Sequence, residues 1–427
     1  MDEIRSSNKD HFPKEFIFEG VEVYERYVTL HRRLLQPVGL WPRNPRWSDL
    51  TCYIYEANAF LNISWMILVS SSQFFSIWNA RDNFFEVMEI ISAMTTAFLI
   101  IHKAFTLLFK RSKIREVDKV IRELWIDGWC KHGSPVRRQM AMAAGITKNL
   151  TLIYLSLIII TVINFAVSPM ISLYTQRAAN LSEDKIVYVL PYLAQFPGVD
   201  MSNQLNYTMC YIASSIVSIP IILYAAGTDI FYISYITQIS LQFDLLTLEI
   251  DEIFDEDKIK KSRSHSTVRK SNIQRFAFKK CVEKHQKLIS AGRIMEQLFS
   301  QILFGICVVS TVSMCAVMFE TVVASHNQHG NTTQFALYLI FEVTEVFIYC
   351  WFGNTLVDKS KLLCQAAYCT KWYNADVILQ NDLMMVMTRA QQPIYVSACG
   401  FVVISLNVCT KILNTAASYF TLIRKMY

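Results

Sequence analysis

Apolar residues in this chain collect into long runs separated by short charged segments. A membrane-crossing helix needs about 20 consecutive, mainly apolar residues. Ala57–Ala80 is the first such run, and Phe84–Phe109 the second, interrupted by Glu86, Glu89 and Lys103. Asn149–Gln176 is the third and cleanest; the fourth, Met201–Thr228, continues apolar past Asp229 to Phe243. Gln297–Phe319 is the fifth. Phe335–Val357 is the sixth, with Glu342 and Glu345 inside it, and the seventh runs from Pro393 to Ile423 around Lys411. The pattern predicts an all-α membrane protein with seven transmembrane helices. Its divisions are a polar segment 1–49, helices one to six over 50–356, a more polar segment 357–392, and a last helix within 393–427.

Composition sharpens this picture. Of 427 residues, 53% are hydrophobic and 18% charged, against about 25% charged in an average soluble protein. That excludes a disordered chain and argues against a soluble enzyme. The formal charge of +6 does not point to nucleic acid, because the basic residues cluster between apolar runs. Lys and Arg number 8 in residues 1–49, 11 in 103–148, 12 in 258–293 and 4 in 358–389. The alternate segments hold only Arg81, then Arg177 and Lys185, then none. Basic loops stay on the cytoplasmic side, so the N-terminus is expected inside and the C-terminus outside, with Arg424 and Lys425 a small violation.

Of five N-x-S/T triplets, those at Asn180, Asn206 and Asn331 fall in or beside expected outer loops, whereas Asn62 and Asn149 do not. The polar start MDEIRSSNKD has no apolar core, so no cleaved signal peptide is expected. Eleven cysteines, mostly inside apolar runs, make a disulfide scaffold improbable. The Asp-Arg-Tyr and Asn-Pro-x-x-Tyr strings of G-protein-coupled receptors are absent from the sequence, and the expected orientation is the opposite one.

The C-terminal stretch from Phe347 to Phe420 resembles the insect odorant receptors. The matching pieces are Tyr349–Asn354 (YCWFGN), the Ser360, Tyr368, Trp372-Tyr373 spacing, Met387–Pro393 (MTRAQQP) and Lys411–Ile423 (KILNTAASYFTLI). Cys281–Ile289, Pro191-Tyr192, Phe196-Pro197 and Gly39–Pro42 extend the likeness upstream. Ser418-Tyr419-Phe420 favours the odorant branch over the related gustatory receptors. The resemblance implies an odorant-gated, non-selective cation channel of four subunits in the plasma membrane of an olfactory neuron dendrite. The modest loop from Asp244 to Lys287 implies a ligand-tuned subunit, partnered by a shared co-receptor that carries a longer insertion there. No cofactor is implied.

Several residues carry this expectation. Ser405, Asn407, Thr410, Lys411, Asn414, Thr415 and Ser418 interleave with apolar residues, as a pore-lining helix requires. By position relative to Tyr419-Phe420, the resemblance assigns Leu422 to an apolar gate and Thr421 to the adjacent polar ring; on residue pattern alone, Leu422 equally suits a lipid contact. Glu342 and Glu345 share a helix face and should point into the bundle, a partner or water. Lys411, at a comparable depth, is one candidate partner for Glu345; protonation or a polar vestibule is the alternative.

The resemblance puts an odorant pocket among spans two, three, four and six. There it singles out Met88, Ser92, Thr95, Asn164, Phe165, Ser168, Tyr207, Tyr211, Tyr338 and Phe341, each of which also fits ordinary packing. The resemblance also implies a helical cytoplasmic anchor region over 357–392 where subunits meet, which Trp372, Tyr373 and Leu383–Met387 suit, while the basic residues 258–270 suit a solvated loop near anionic lipid. His326 and His329, three apart in an expected outer loop, fit a solvated loop better than a metal site; Cys364 and Cys369 lack zinc-site spacing, and no catalytic motif or metal site is read. Two other classes compete: a metabotropic seven-helix chemoreceptor without its own pore, and a transporter, which the lack of an internal repeat disfavours.

Overall fold

The computed structural model describes residues 14–179, 186, 188–191, 199, 203–255, 267–327 and 332–426. Its described helices are α1 (Lys14–Tyr27), α2 (Leu30–Leu35), α3 (Asp49–Ala80), α4 (Phe84–Phe109), α5 (Arg111–Lys131) and α6 (Ser134–Ala178). They continue as α7 (Gln204–Ile216), α8 (Ser218–Phe254), α9 (Thr267–Asn327), α10 (Thr332–Cys369), α11 (Val377–Ala390) and α12 (Leu406–Met426). Six helical stretches are long and apolar enough to cross a membrane: α3, α4, α6, α7 with α8, α9 and α10. The fold is therefore an all-α, multi-pass membrane bundle. The 21-residue α12 would span about 30 Å at 1.5 Å per residue. Its mixed polar and apolar sequence leaves it outside that set.

Local chemistry explains the element boundaries. The Ser48 hydroxyl caps α3 by accepting the Thr51 N–H at 3.3 Å. Pro220 lacks an N–H and its ring crowds the carbonyl four residues back, at Ile216, where α7 ends. The fourth apolar run is accordingly two helices joined at Val217. At 45 and 61 residues, α6 and α9 are far longer than a bilayer requires and carry their apolar halves on polar extensions.

The seventh run differs from expectation. Its helix begins at Leu406, not at Pro393. The residues between form a loop with a two-stranded antiparallel hairpin, β1 (Ser397–Ala398) and β2 (Val402–Val403). Its tight turn puts Cys399 at φ 51° and Gly400 at φ 77°. A cysteine at positive φ is held by α9: the Cys399 N–H reaches Ser300 Oγ at 3.0 Å, and the Ser397 N–H reaches Glu296 Oε2 at 2.6 Å.

The bundle closes around α8, whose residues from Tyr224 to Ile236 are all buried. A helix apolar on every side belongs in a core, and α8 packs on α2, α4, α5, α6, α9 and α10. Gly227 allows α2 to approach, since a Cβ there would lie 2.6 Å from Leu35 Cδ2. The outer rows of α3 and α6 expose Phe60, Leu61, Phe74, Trp78, Ile153, Ile163, Ile171 and Tyr174, a surface suited to lipid. One face of α12, Val408, Cys409, Ile412 and Ala416, is buried against α9 and α10.

Candidate functional site

A cavity of about 90 Å³ opens between α3, α4, α6, α8 and α10. Met66, Val69, Ser70 and Gln73 come from α3, and Ala93, Thr96, Ala97 and Ile100 from α4. Ile158, Thr161, Val162 and Phe165 come from α6, Val217, Ile221 and Ala225 from the start of α8, and Tyr338 and Phe341 from α10. The wall is almost wholly apolar, and the Phe165 and Tyr338 rings meet edge-on with centroids 5.4 Å apart. Burying one CH₂ group contributes about 0.8 kcal/mol, so a ligand of five carbons gains about 4 kcal/mol here, equivalent to millimolar binding.

Of the ten residues singled out from sequence, Phe165, Tyr338 and Phe341 lie on this wall. The other seven lie off it. Ser92 and Thr95 sit nearby on α4, where the Ser92 carbonyl accepts from Thr95 Oγ1 at 2.9 Å. The hydroxyl of Tyr211 donates to the Ala166 carbonyl at 2.6 Å and that of Tyr207 to the Val189 carbonyl at 3.1 Å, so both tie α7 to its neighbours. Met88, Asn164 and Ser168 are half-buried away from the cavity. Sequence reasoning missed Thr96, which lies one residue past the polar position chosen on α4, and the whole contribution of α3.

Beneath the cavity lies a polar cluster. Thr96 Oγ1 and Ser313 Oγ donate to Glu342 Oε1 at 3.2 and 3.3 Å, and the Tyr338 hydroxyl contacts Thr96 Oγ1 and donates to the Ser92 carbonyl at 3.1 Å. One helical turn on, Glu345 pairs with Lys103 of α4, whose ammonium also reaches Asp229 Oδ1 of α8 at 2.7 Å. The hydroxyls of Tyr154 and Tyr349 donate to Asp229 at 2.8 and 2.6 Å, and Lys103 lies 5.5 Å from the centre of the Tyr349 ring. All these charges are buried, so their mutual pairing is what makes them tolerable in an apolar bundle. The partner of Glu345 is thus Lys103 and not Lys411, which is exposed on α12. Lys103 lies directly across from α10, whereas Lys411 projects from the other face of the last helix.

The gate candidates Thr421 and Leu422 are both exposed on α12, Leu422 at 56%. They continue a stripe of exposed polar residues, Thr410, Asn414 and Ser418, at helical spacing. In the anchor region, Met384 and Met385 are exposed but Leu383 and Val386 are buried, so only part of that apolar run faces outward. Tyr368, Tyr373, Val377 and Ile378 add to the exposed apolar surface, and Arg275 pairs with Asp376, held below the usual carboxylate range by that hydrogen bond. At the same end, Glu249 of α8 joins Lys131 and His132, around the end of α5, to Lys284 of α9 (2.9 Å to Lys284). Among the described residues no group of His, Cys, Asp and Glu is arranged to hold a metal. Asn206 lies in the first turn of α7 and is half-buried. Asn180, Asn331, His329, residues 1–13, the Tyr192, Phe196 and Pro197 matches and the basic residues 258–266 lie outside the described residues.

Known proteins are similar to this chain in sequence and fold. A family model described as 7tm Odorant receptor matches residues 83–417. Odorant receptor 13a of Drosophila melanogaster is 25% identical over 408 residues, covering 91% of this chain and 93% of that protein. Odorant receptor 85c of Drosophila melanogaster is 22% identical over 404 residues, covering 92% and 96%. The Odorant receptor coreceptor of Aedes aegypti matches over 170 residues at 24% identity, 40% of this chain and 35% of that one. The solved structure of the insect olfactory receptor OR5 from Machilis hrabei, in complex with eugenol, superposes with a TM-score of 0.73 at 13% identity, covering 96% of this chain and 100% of that one. At that identity the likeness establishes the shared fold.

Proposed function

The chain belongs to the insect odorant receptor family, and from that premise we propose that it is the ligand-tuned subunit of an odorant-gated, non-selective cation channel. It is a multi-pass membrane chemoreceptor of olfaction and not an enzyme. In this reading a small volatile occupies the cavity between α3, α4, α6, α8 and α10. Helix α10 carries the signal, because it bears cavity residues Tyr338 and Phe341, then the buried Glu342 and Glu345, then Gly353. Gly353 lies so close to Ile404, just before α12, that a Cβ would sit 3.0 Å from Ile404 Cγ2. A shift of α10 about the ligand therefore presses on the segment leading into the last helix.

The observation that carries the channel reading is the two-faced character of α12. Its apolar face is gripped by α9 and α10, and its polar stripe, ending at Thr421 and Leu422, is left exposed by its own chain. Four such helices around an axis would line an aqueous path with Leu422 as a dewetting constriction. The seventh crossing, the cytoplasmic N-terminus and extracellular C-terminus belong to this proposal, supported by the alternation of basic segments. So does assembly with a co-receptor into a heterotetramer in the dendritic plasma membrane, supported by the match to a coreceptor and the exposed apolar residues of α10 and α11. The test is expression with and without an odorant-receptor co-receptor in cells lacking odorant-linked G-protein signalling. A rapid odorant-evoked cation current with both subunits supports the reading. Current appearing only when G protein is added contradicts it.

A further inference from the structure

We propose that an open groove at the cytoplasmic foot of the bundle binds an anionic phospholipid of the inner leaflet, its phosphate held by Arg33. The inference rests on the N-terminus being cytoplasmic, as in the channel reading. The groove lies between α2 and α3, and its volume of about 460 Å³ falls within the range of about 300–1,000 Å³ usual for ligand sites. Arg33 comes from α2, Gln36 and Pro37 follow that helix, Trp47 stands just before α3, and Tyr55 is on α3. The depth of the groove follows from α3. The first apolar run starts at Ala57, two residues after Tyr55, which is about 3 Å along a helix at about 1.5 Å per residue. The Trp47 and Tyr55 rings meet edge-on with centroids 4.9 Å apart, so both stand at the headgroup level that such rings favour.

The wall offers donors and holds no acid. The Arg33 guanidinium is exposed, and it, the Gln36 amide and the Trp47 indole N–H have no hydrogen-bond partner among the described residues. Phosphate oxygens are acceptors, and a guanidinium fork meets two of them with parallel bonds. Beside the groove Arg43, at 2.7 Å, and Arg111 share the carboxylate of Glu56, so with Arg33 these four residues carry two net positive charges. A surplus of that sign favours a lipid with net negative charge over a zwitterionic one. A choline headgroup fits worse, because the Tyr55 ring already faces Arg111, whose guanidinium carbon lies 5.6 Å from the ring centre, and a second cation there would meet a like charge. The acyl chains have a surface as well, since α3 exposes Leu50, Ile54 and Leu61.

The test adds dioctanoyl phosphatidylserine, dioctanoyl phosphatidylcholine or inorganic phosphate to the purified full chain in neutral detergent and takes dissociation constants from thermal stabilisation. The serine lipid is expected to bind at least about fivefold more tightly than the choline lipid, and inorganic phosphate at equal concentration to give no stabilisation. Arg33→Gln is expected to bring the two lipids within about twofold. Lys119→Gln, which removes an exposed base of α5 outside the groove, is expected to keep the preference. Arg33 and Lys119 are both exposed, so each variant should melt as the parent does without lipid. Equal binding of the two lipids, equal stabilisation by inorganic phosphate, or the same loss of preference in both variants overturns the inference. Sidedness is read separately, from an epitope tag placed before Met1 and probed with antibody on intact and permeabilised cells. A tag hidden until permeabilisation, with no lipid preference in detergent, overturns this inference and leaves the orientation standing. A tag stained on intact cells overturns the orientation and the inner-leaflet assignment with it.

Discussion

Exchanging Lys103 for methionine keeps the length of the side chain and removes the only cation bonded to Asp229 and Glu345 among the described residues. At 2.7 Å and an effective dielectric of about 20, the attraction to Asp229 alone is about 6 kcal/mol gross, opposed by a desolvation cost of several kcal/mol per ion. After the exchange Asp229 keeps the hydroxyls of Tyr154 at 2.8 Å and Tyr349 at 2.6 Å, but Glu345 loses the hydrogen bond it makes. Breaking a buried pair from one side costs about 3–5 kcal/mol, and that is the destabilisation expected for Lys103→Met. Glu345→Gln leaves a one-to-one Lys103–Asp229 pair and is expected to cost about 1–2 kcal/mol. Because the two residues touch, the double variant should be more stable than the sum of the singles by about 1–3 kcal/mol. Equilibrium unfolding of the purified chain in detergent measures all three. A Lys103→Met variant within about 1 kcal/mol of the parent, or strictly additive losses, would refute the reasoning.

Further outcomes follow from single contacts. His31 is buried among Trp41, Phe231 and Tyr235, and burial, reinforced by Arg32, holds its imidazole down to about 3. Its neutral form is the folded one, so stability is complete above about pH 6.5 and is lost as pH falls toward 3; at pH 5 the loss is about 2 kcal/mol, and melting curves of His31→Phe should show a correspondingly flatter acid limb. A Cβ on Gly292 would stand 2.3 Å from Ile394 Cγ2, so Gly292→Ala should destabilise by about 1–3 kcal/mol and Ile394→Ala should relieve part of it; equal loss with either residue at position 394 would contradict the contact. Leu422→Ala should raise the current recorded without odorant, and an unchanged basal current counts against a gate there.

Much of the architecture is legible in the sequence because lipid imposes a coarse filter: a helix must be apolar for about 20 residues, and Phe84–Phe109 matches α4 residue for residue. Polar extensions were not legible. Residues 134–148 of α6 and 267–296 of α9 continue an apolar helix without a capping signal at the membrane boundary. The late start of α12 was hidden because Ile394, Val396, Val402, Val403 and Ile404 are as apolar as a span; Pro393 and Gly400 were the available hints. For the charges, burial of Glu342 and Glu345 followed from the cost of exposing them to lipid, but their partner did not. Depth along the chain made Lys411 and Glu345 look matched, while the contact depends on which helix stands beside α10. The overlooked signal was Lys103 itself, a lone base in an apolar run with buried acids to balance. The cavity showed the same division: aromatic positions on α6 and α10 were readable, and the α3 wall depended on packing that periodicity does not encode.

The most direct test of the channel account is cysteine substitution along α12, read by a charged, membrane-impermeant thiol reagent on odorant-evoked current in cells that also express the co-receptor. Thr410, Asn414, Ser418 and Thr421 are the exposed positions, and Ile412 and Ala416 the buried controls. The account predicts that cysteines at the first four positions react, faster with odorant present, and change the current, while those at Ile412 and Ala416 do not. Inert cysteines at all six positions, with and without odorant, would contradict it.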